Sequence, residues 1–197
     1  ANILALSEAA GTLDNVVVIG STSKITHAGA GISFIASSEA NLNEFAKQLG
    51  ISTIGPDKIN QLRHMRFLKD MPTLRALMQK HRQILQPKFD CVLNALEKGL
   101  SGKTVAGKTL GTWTKPQGGY FILFDTQAGL ADRVVRLTAA AGVKLTPAGS
   151  TYPYRKDLND TNIRLAPSFP SVKEIEAAMQ VFVLCVELAS IENALGI

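Results

Sequence analysis

The sequence predicts an α/β chain in two parts. The tail of a larger α/β domain, mainly parallel sheet with helices, covers 1–70. A long linker helix and a small α+β domain cover 71–197. Three observations predict this. The β-branched run Val16-Val17-Val18-Ile19 leads into a loop of glycines and hydroxyls, and a second apolar run, Ile32–Ala36, follows it. Beyond Pro72, apolar residues keep a helical period through Leu96, across Pro87, and long kinked helices often bridge domains. Past that helix, short strand patterns interleave with helices.

Ile3–Ala10 is apolar at helical spacing and stops at Gly11. After the first strand, Gly29-Ala30-Gly31 is small enough to let backbone approach something closely. Ser38 caps a helix over Glu39–Leu49, with Gly50 as its stop. Ile51–Gly55 is a loop. Pro56 opens the next helix, which runs to about Lys69 and buries Ile59, Leu62, Met65 and Phe67. In the long helix Pro87 removes one backbone bond and bends it without ending it. Gly99–Gly111 is a basic, glycine-rich link. Gly111–Lys115 and Gly119–Phe124 are strands around a Pro-Gly turn region. Leu130–Ala141 is an amphipathic helix ended by Gly142, and Val143–Leu145 and Ile163–Leu165 are short strands. Thr146–Thr161, between them, is long enough to be functional or disordered. Ser171 and Glu174 form a capping box for a last helix that buries Ile175, Met179, Phe182, Val186 and Ala189.

The chain has 197 residues, 46% of them apolar and 19% charged, as in ordinary α/β proteins. No apolar run approaches the roughly 18 residues that a membrane helix needs. The start, Ala1-Asn2-Ile3-Leu4, has neither an initiator Met nor a signal pattern, so the chain is expected to be cut from something longer. Cys91 and Cys185 are the only cysteines and fall among apolar helical neighbours. They are expected to be buried thiols, two cysteines are too few for a disulfide framework, and this fits a reducing cytoplasm. Net charge is +5, but the basic residues Arg63, His64, Arg66 and Lys69, then Lys80, His81, Arg82 and Lys88, lack any nucleic-acid-binding motif and read as a solvated helix face. His64 and His81 lie far apart in sequence, with no metal-ligand spacing.

Gly20-Ser21-Thr22-Ser23-Lys24 is the stretch with chemistry in it. Hydroxyls and N–H groups at a strand end suit an anion such as a phosphate. Lys24 adds an amine, which attacks a carbonyl to form a Schiff base once it loses its proton. A Walker-type loop fails on spacing, because Ser23 precedes Lys24 and Ile25 follows.

Ser21-Thr22-Ser23-Lys24 resembles the lysine signature of the fold-type-I pyridoxal-phosphate aminotransferases. Lys115-Pro116-Gln117-Gly118-Gly119-Tyr120-Phe121 resembles their proline-glycine-glycine-aromatic segment. Asn162-Ile163-Arg164-Leu165-Ala166 resembles the strand bearing their carboxylate-binding arginine. The three occur in the family's order. Ser21–Ser38 and Thr53–His64 look most like the divergent group of bacterial aspartate aminotransferases. The resemblance covers essentially all of this chain but only the C-terminal half or so of the family's chain.

The resemblance implies that Lys24 holds the aldehyde of pyridoxal 5'-phosphate as a Schiff base and carries the proton during transamination. It implies that Ser21, and less directly Ser23, contacts the cofactor phosphate. Arg164 is implied to grip the substrate α-carboxylate through its planar fork; an ion pair with Asp157 or Asp160 is the alternative. The loop Ser52–Gly55 is implied to approach the site of a second subunit, giving a homodimer with shared sites. The implied reaction moves the amino group of an amino acid, with aspartate expected, to 2-oxoglutarate. One feature departs from the family. Where it places an arginine about eight residues after the lysine, Ile32 stands here, and no arginine occurs from Lys24 to Gln61. Lys58 and Arg63 are the candidates for the missing charge. Neither the acidic partner of the pyridine nitrogen nor the stacking ring is found in this chain, so alone it is expected to be inactive. A pyridoxal-phosphate-sensing domain of a transcription regulator, or a lyase or decarboxylase of the same fold, are the other readings.

Overall fold

A computed structural model describes residues 2–197; Ala1 lies outside the described residues. The chain divides into two compact units, the first ending at Lys80 and the second spanning His81–Ile197.

In the first unit, Asn2 caps helix α1 (Ile3–Ala9) by accepting the Leu4 N–H. Strand β1 (Val18–Ser21) pairs antiparallel with β2 (Ser33–Ala36). β1 begins later than the β-branched run suggests and takes in Gly20 and Ser21, because pairing with β2 fixes its limits. Gly20 lies opposite Phe34, whose ring occupies the place of a side chain: a Cβ on Gly20 would come within 2.1 Å of it. Every strand pair among the described residues is antiparallel, so the first unit contributes a hairpin where a mainly parallel sheet was expected.

Ser38 caps α2 (Glu39–Ser52), as expected, but the helix runs through Gly50 instead of stopping there. Glycine ends a helix when the next turn needs a left-handed residue, and Gly50 has no positive φ. Asp57, not Pro56, starts α3 (Lys58–Leu68) by accepting the Asn60 N–H. The burial expected for α3 is also overturned. Ile59, Leu62, Met65 and Phe67 are all exposed, and the buried side chain is His64, 1% exposed.

Helix α4 (Met71–Leu100) continues through Pro87, and the boundary between the two units falls inside it. The second unit holds the apolar core. A hairpin, β3 (Thr104–Val105) and β4 (Lys108–Thr109), replaces the expected irregular link. Its two-residue turn has Ala106 at φ 49° and Gly107 at φ 76°, the left-handed pair that suits a tight hairpin. A three-stranded sheet follows in the order β5 (Gly111–Trp113), β6 (Ile122–Thr126), β7 (Asn162–Leu165). Helix α5 (Ala131–Ala140) lies between β6 and β7 in sequence. Val143–Leu145 is not a strand; the Val143 N–H closes the end of α5 on the Thr138 carbonyl. The capping box of Ser171 and Glu174 starts α6 (Val172–Leu195), and the expected stripe of Ile175, Met179, Phe182, Val186 and Ala189 is buried.

The centre of this core is Phe124 on β6. Trp113 stacks on it at 6.2 Å, and Phe182 meets it edge-on at 5.1 Å. Val92, Leu96 and Leu100 of α4 and Ile163 and Leu165 of β7 complete the layer. Cys185 is buried here and Cys91 half-buried; both are free, and burial pushes both thiols up from their ordinary range.

Candidate active site

The β1–β2 connection carries Lys24. Past Ser21 the chain makes a turn in which the Ile25 and Thr26 N–H groups donate to the Thr22 carbonyl at 2.8 and 2.9 Å. Lys24 sits in the middle of that turn and is exposed. The base of the loop is closed by the Thr22 N–H on the Ile32 carbonyl, 2.9 Å, and by the Ile32 N–H on Thr22 Oγ1, 2.9 Å. Ser21 Oγ lies 2.8 Å from Ser23 Oγ and accepts the Ser23 N–H at 3.1 Å, so both hydroxyls gather beside the lysine. The returning limb lies against Ser23: a Cβ on Gly31 would fall 2.3 Å from Ser23 Oγ. The loop thus presents an amine, two exposed hydroxyls and a close backbone approach.

Helix α3 holds this loop from behind, and His64, which the sequence placed on a solvated helix face, is instead buried against the loop. His64 Nε2 lies 2.8 Å from Thr26 Oγ1 and 3.2 Å from Thr22 Oγ1. Asn60 Nδ2 donates to the Ala30 carbonyl at 3.0 Å. His27 turns its ring towards His64 and Phe67, with centroids at 5.6 and 5.1 Å. The signal for this was faint: two threonines flanking the lysine at helical spacing, and two polar residues four apart on a helix with a basic face. Of the two candidate cations, Arg63 is engaged by Asn60, its Nη2 donating to Asn60 Oδ1 at 2.6 Å.

In the second unit, Arg164 lies opposite Leu123 on the central strand. Its guanidinium carbon stands 4.6 Å from the centre of the Phe121 ring, which belongs to the proline-glycine-glycine-aromatic segment. Nη2 donates to Thr146 Oγ1 at 3.3 Å, while the buried Nε has no partner. The alternative ion pair with Asp157 or Asp160 does not form. Asp157 Oδ2 accepts the N–H groups of Thr161 and Asn162 at 2.8 and 3.0 Å, and its Oδ1 that of Asn159 at 3.0 Å. Burial alone would raise the Asp157 carboxyl, but these donors outweigh it and hold the group below its ordinary value. Asp160 Oδ1 accepts the Asp132 N–H at the start of α5. Tyr154, at φ 57°, is exposed on the loop before β7.

Among the described residues no group of acidic, cysteine or histidine side chains has metal-binding geometry, and no helix is long and apolar enough to cross a membrane. The mixed α/β fold is that of solved aminotransferase structures. The family model for aspartate amino-transferase matches residues 1–197, and the chain belongs to that family. An aspartate aminotransferase of Corynebacterium glutamicum is 46% identical over 192 residues, covering 98% of this chain and 43% of that protein. A crystal structure of an aspartate transaminase from the same organism superposes with a TM-score of 0.91 at 45% identity, covering 98% of this chain and 45% of that one. The fold extends to the α-aminoadipate aminotransferase LysN of Thermus thermophilus, solved with N-(5'-phosphopyridoxyl)-L-leucine, at TM-score 0.74 and 19% identity over 99% of this chain and 46% of that one. The chain therefore spans less than half the length of the relatives it matches.

Proposed function

We propose that this chain is the C-terminal portion of a pyridoxal-phosphate-dependent aspartate aminotransferase, with aspartate as amino donor and 2-oxoglutarate as acceptor. Residues 1–70 would then end the large cofactor-binding domain, and 71–197 would be the linker helix and small domain. The observation that carries this reading is Arg164, a strand guanidinium braced on Phe121 that makes no ion pair among the described residues and has an unpartnered Nε. A half-buried guanidinium with a buried, unpartnered N–H is costly unless an acceptor arrives from outside. In this role it binds and orients the substrate α-carboxylate.

The residues of the lysine turn fit the cofactor. Ser21 and Ser23 offer two adjacent hydroxyls to its phosphate, and Gly31 keeps clear the space beside them. Lys24 is the amine that would hold the cofactor through its aldehyde, and it would carry the proton at the substrate Cα. Bound pyridoxal phosphate supplies the electron sink. Lys58 or Arg63 supplies the charge that the family's usual arginine would bring. Ile51 and Ile54, both strongly exposed around the α2–α3 connection, suit contact with a second subunit in a homodimer with shared sites. Free thiols suit a cytoplasmic protein.

The test uses a full-length protein carrying this chain as its C-terminal half. Pyridoxal phosphate should give a visible Schiff-base band, and borohydride should fix the label on Lys24. Aspartate should shift the band and release oxaloacetate when 2-oxoglutarate is present. Arg164→Lys should raise KM for aspartate sharply while leaving the band intact. A label on another lysine sinks the site assignment; a band indifferent to every amino acid replaces catalysis with cofactor sensing.

A further inference from the structure

His64 is the most buried polar group near the lysine turn, and nothing in the proposed chemistry uses it. Its surroundings fix what it does. Nδ1 lies 2.9 Å from the Asn60 carbonyl oxygen, which only accepts, so Nδ1 carries the proton of the ring. Nε2 is left as an acceptor, and the two groups beside it are the hydroxyls of Thr26 and Thr22. These threonines begin and end the turn that has Lys24 at its centre, since the Thr26 N–H closes on the Thr22 carbonyl. Thr22 also fastens the opposite limb of the loop, because its Oγ1 accepts the Ile32 N–H. One imidazole thus joins α3 to both ends of the lysine turn. Asn60, one helical turn earlier on α3, holds the loop again at Ala30.

We propose that His64 is the positioning residue for Lys24: an imidazole on α3 that locks the Thr22–Thr26 turn and so sets where the lysine amine stands. The proposal rests on the reading of Lys24 as the cofactor lysine. His64 does not touch cofactor or substrate; it acts through the two threonines. The turn closes on the Thr22 carbonyl, and both of its threonine hydroxyls meet the one ring carried by α3. The precision needed at a reacting amine therefore comes from the helix behind the loop.

The test compares His64→Leu, His64→Gln and Thr26→Val with wild type in the full-length protein. Leu removes the acceptor. Gln restores one, because its amide oxygen reaches about where Nε2 lies. Thr26→Val removes the partner hydroxyl from a half-buried site, so it reports even if the leucine variant does not fold. Three readouts are taken: amide hydrogen exchange of the 22–32 segment without cofactor, affinity for pyridoxal phosphate, and the apparent pKa of the Schiff-base band. His64→Leu and Thr26→Val should speed exchange at Thr26 and Ile32, weaken cofactor binding about tenfold, the effect of one buried hydrogen bond, and move the band's pKa. His64→Gln should recover most of each. A lowered Tm with affinity and band pKa unchanged would make His64 merely structural and overturn the proposal, as would a glutamine variant no better than leucine. If wild type itself forms no band, the reading of Lys24 fails, and the proposal for His64 falls with it.

Discussion

Replacing Gly31 by alanine presses directly on the geometry of the lysine turn. The new methyl carbon would lie 2.3 Å from Ser23 Oγ and 2.7 Å from both the Ser23 nitrogen and its Cα. Non-bonded heavy atoms rest at roughly 3.5–4.0 Å, so the two limbs of the loop must part by about 1 Å. Two of the three contacts are backbone, and no side-chain rotation relieves them. Overpacking of this kind costs ~1–3 kcal/mol. The loop relieves it by shifting Ser23, and Lys24 is the next residue along. A misplacement of about 1 Å at a reacting group lowers rate by about 10²-fold. The assay is a single-turnover reaction of the full-length holoprotein with aspartate, alongside a spectroscopic titration with pyridoxal phosphate. We expect the rate to fall by about two orders of magnitude and cofactor affinity to fall by about tenfold. A Gly31→Ala protein with unchanged rate and affinity would refute the argument that this close approach sets the lysine's place.

Three other outcomes test the fold. Phe182→Ala removes the ring that meets Phe124 edge-on in the core of the second unit; denaturant unfolding should show a loss of ~3–5 kcal/mol. Gly50→Ala should stabilise, because Gly50 lies inside α2 with open space where a Cβ would go; the gain should be ~0.5–1 kcal/mol, read from the same unfolding curves, and a loss would mean the helix ends before it. Asp157 has a folded-state pKa below its ordinary value, so its contribution is present above the unfolded value of about 3.9 and fades as pH falls through the lower folded one. Asp157→Asn should therefore be less stable than wild type near neutrality, with the gap closing below about pH 4. A gap that widens in acid would contradict the hydrogen-bond account.

Local signals were legible where one short segment contains its own cause. The Ser171–Glu174 capping box needs only two side chains and the adjacent N–H groups, and it formed as expected. The stripe from Ile175 to Ala189 needs only a helical period. Gly50 and Pro56 misled for the same reason in reverse. Each is a strong local marker of a helix end, but Asp57 supplied a better cap and α2 had no need to turn at Gly50. Val143–Leu145 has strand-like residues but forms no strand, and the Val143 N–H instead goes to the Thr138 carbonyl at the end of α5. On α3 the apolar period pointed to Ile59, Leu62, Met65 and Phe67, yet those are exposed, because burial depends on what other chain lies against a face.

From the sequence alone came the order of the three signature segments, the type of most elements, and the family to which the chain belongs. These follow from covalent neighbours, and near-neighbour physics is written directly in the chain. The tertiary structure alone showed that Arg164 Nε is buried without a partner, that Gly31 lies against Ser23, and that His64 grips both ends of the lysine turn. Each of these is a meeting of residues distant in sequence, and a distance of that kind exists only once the chain has folded.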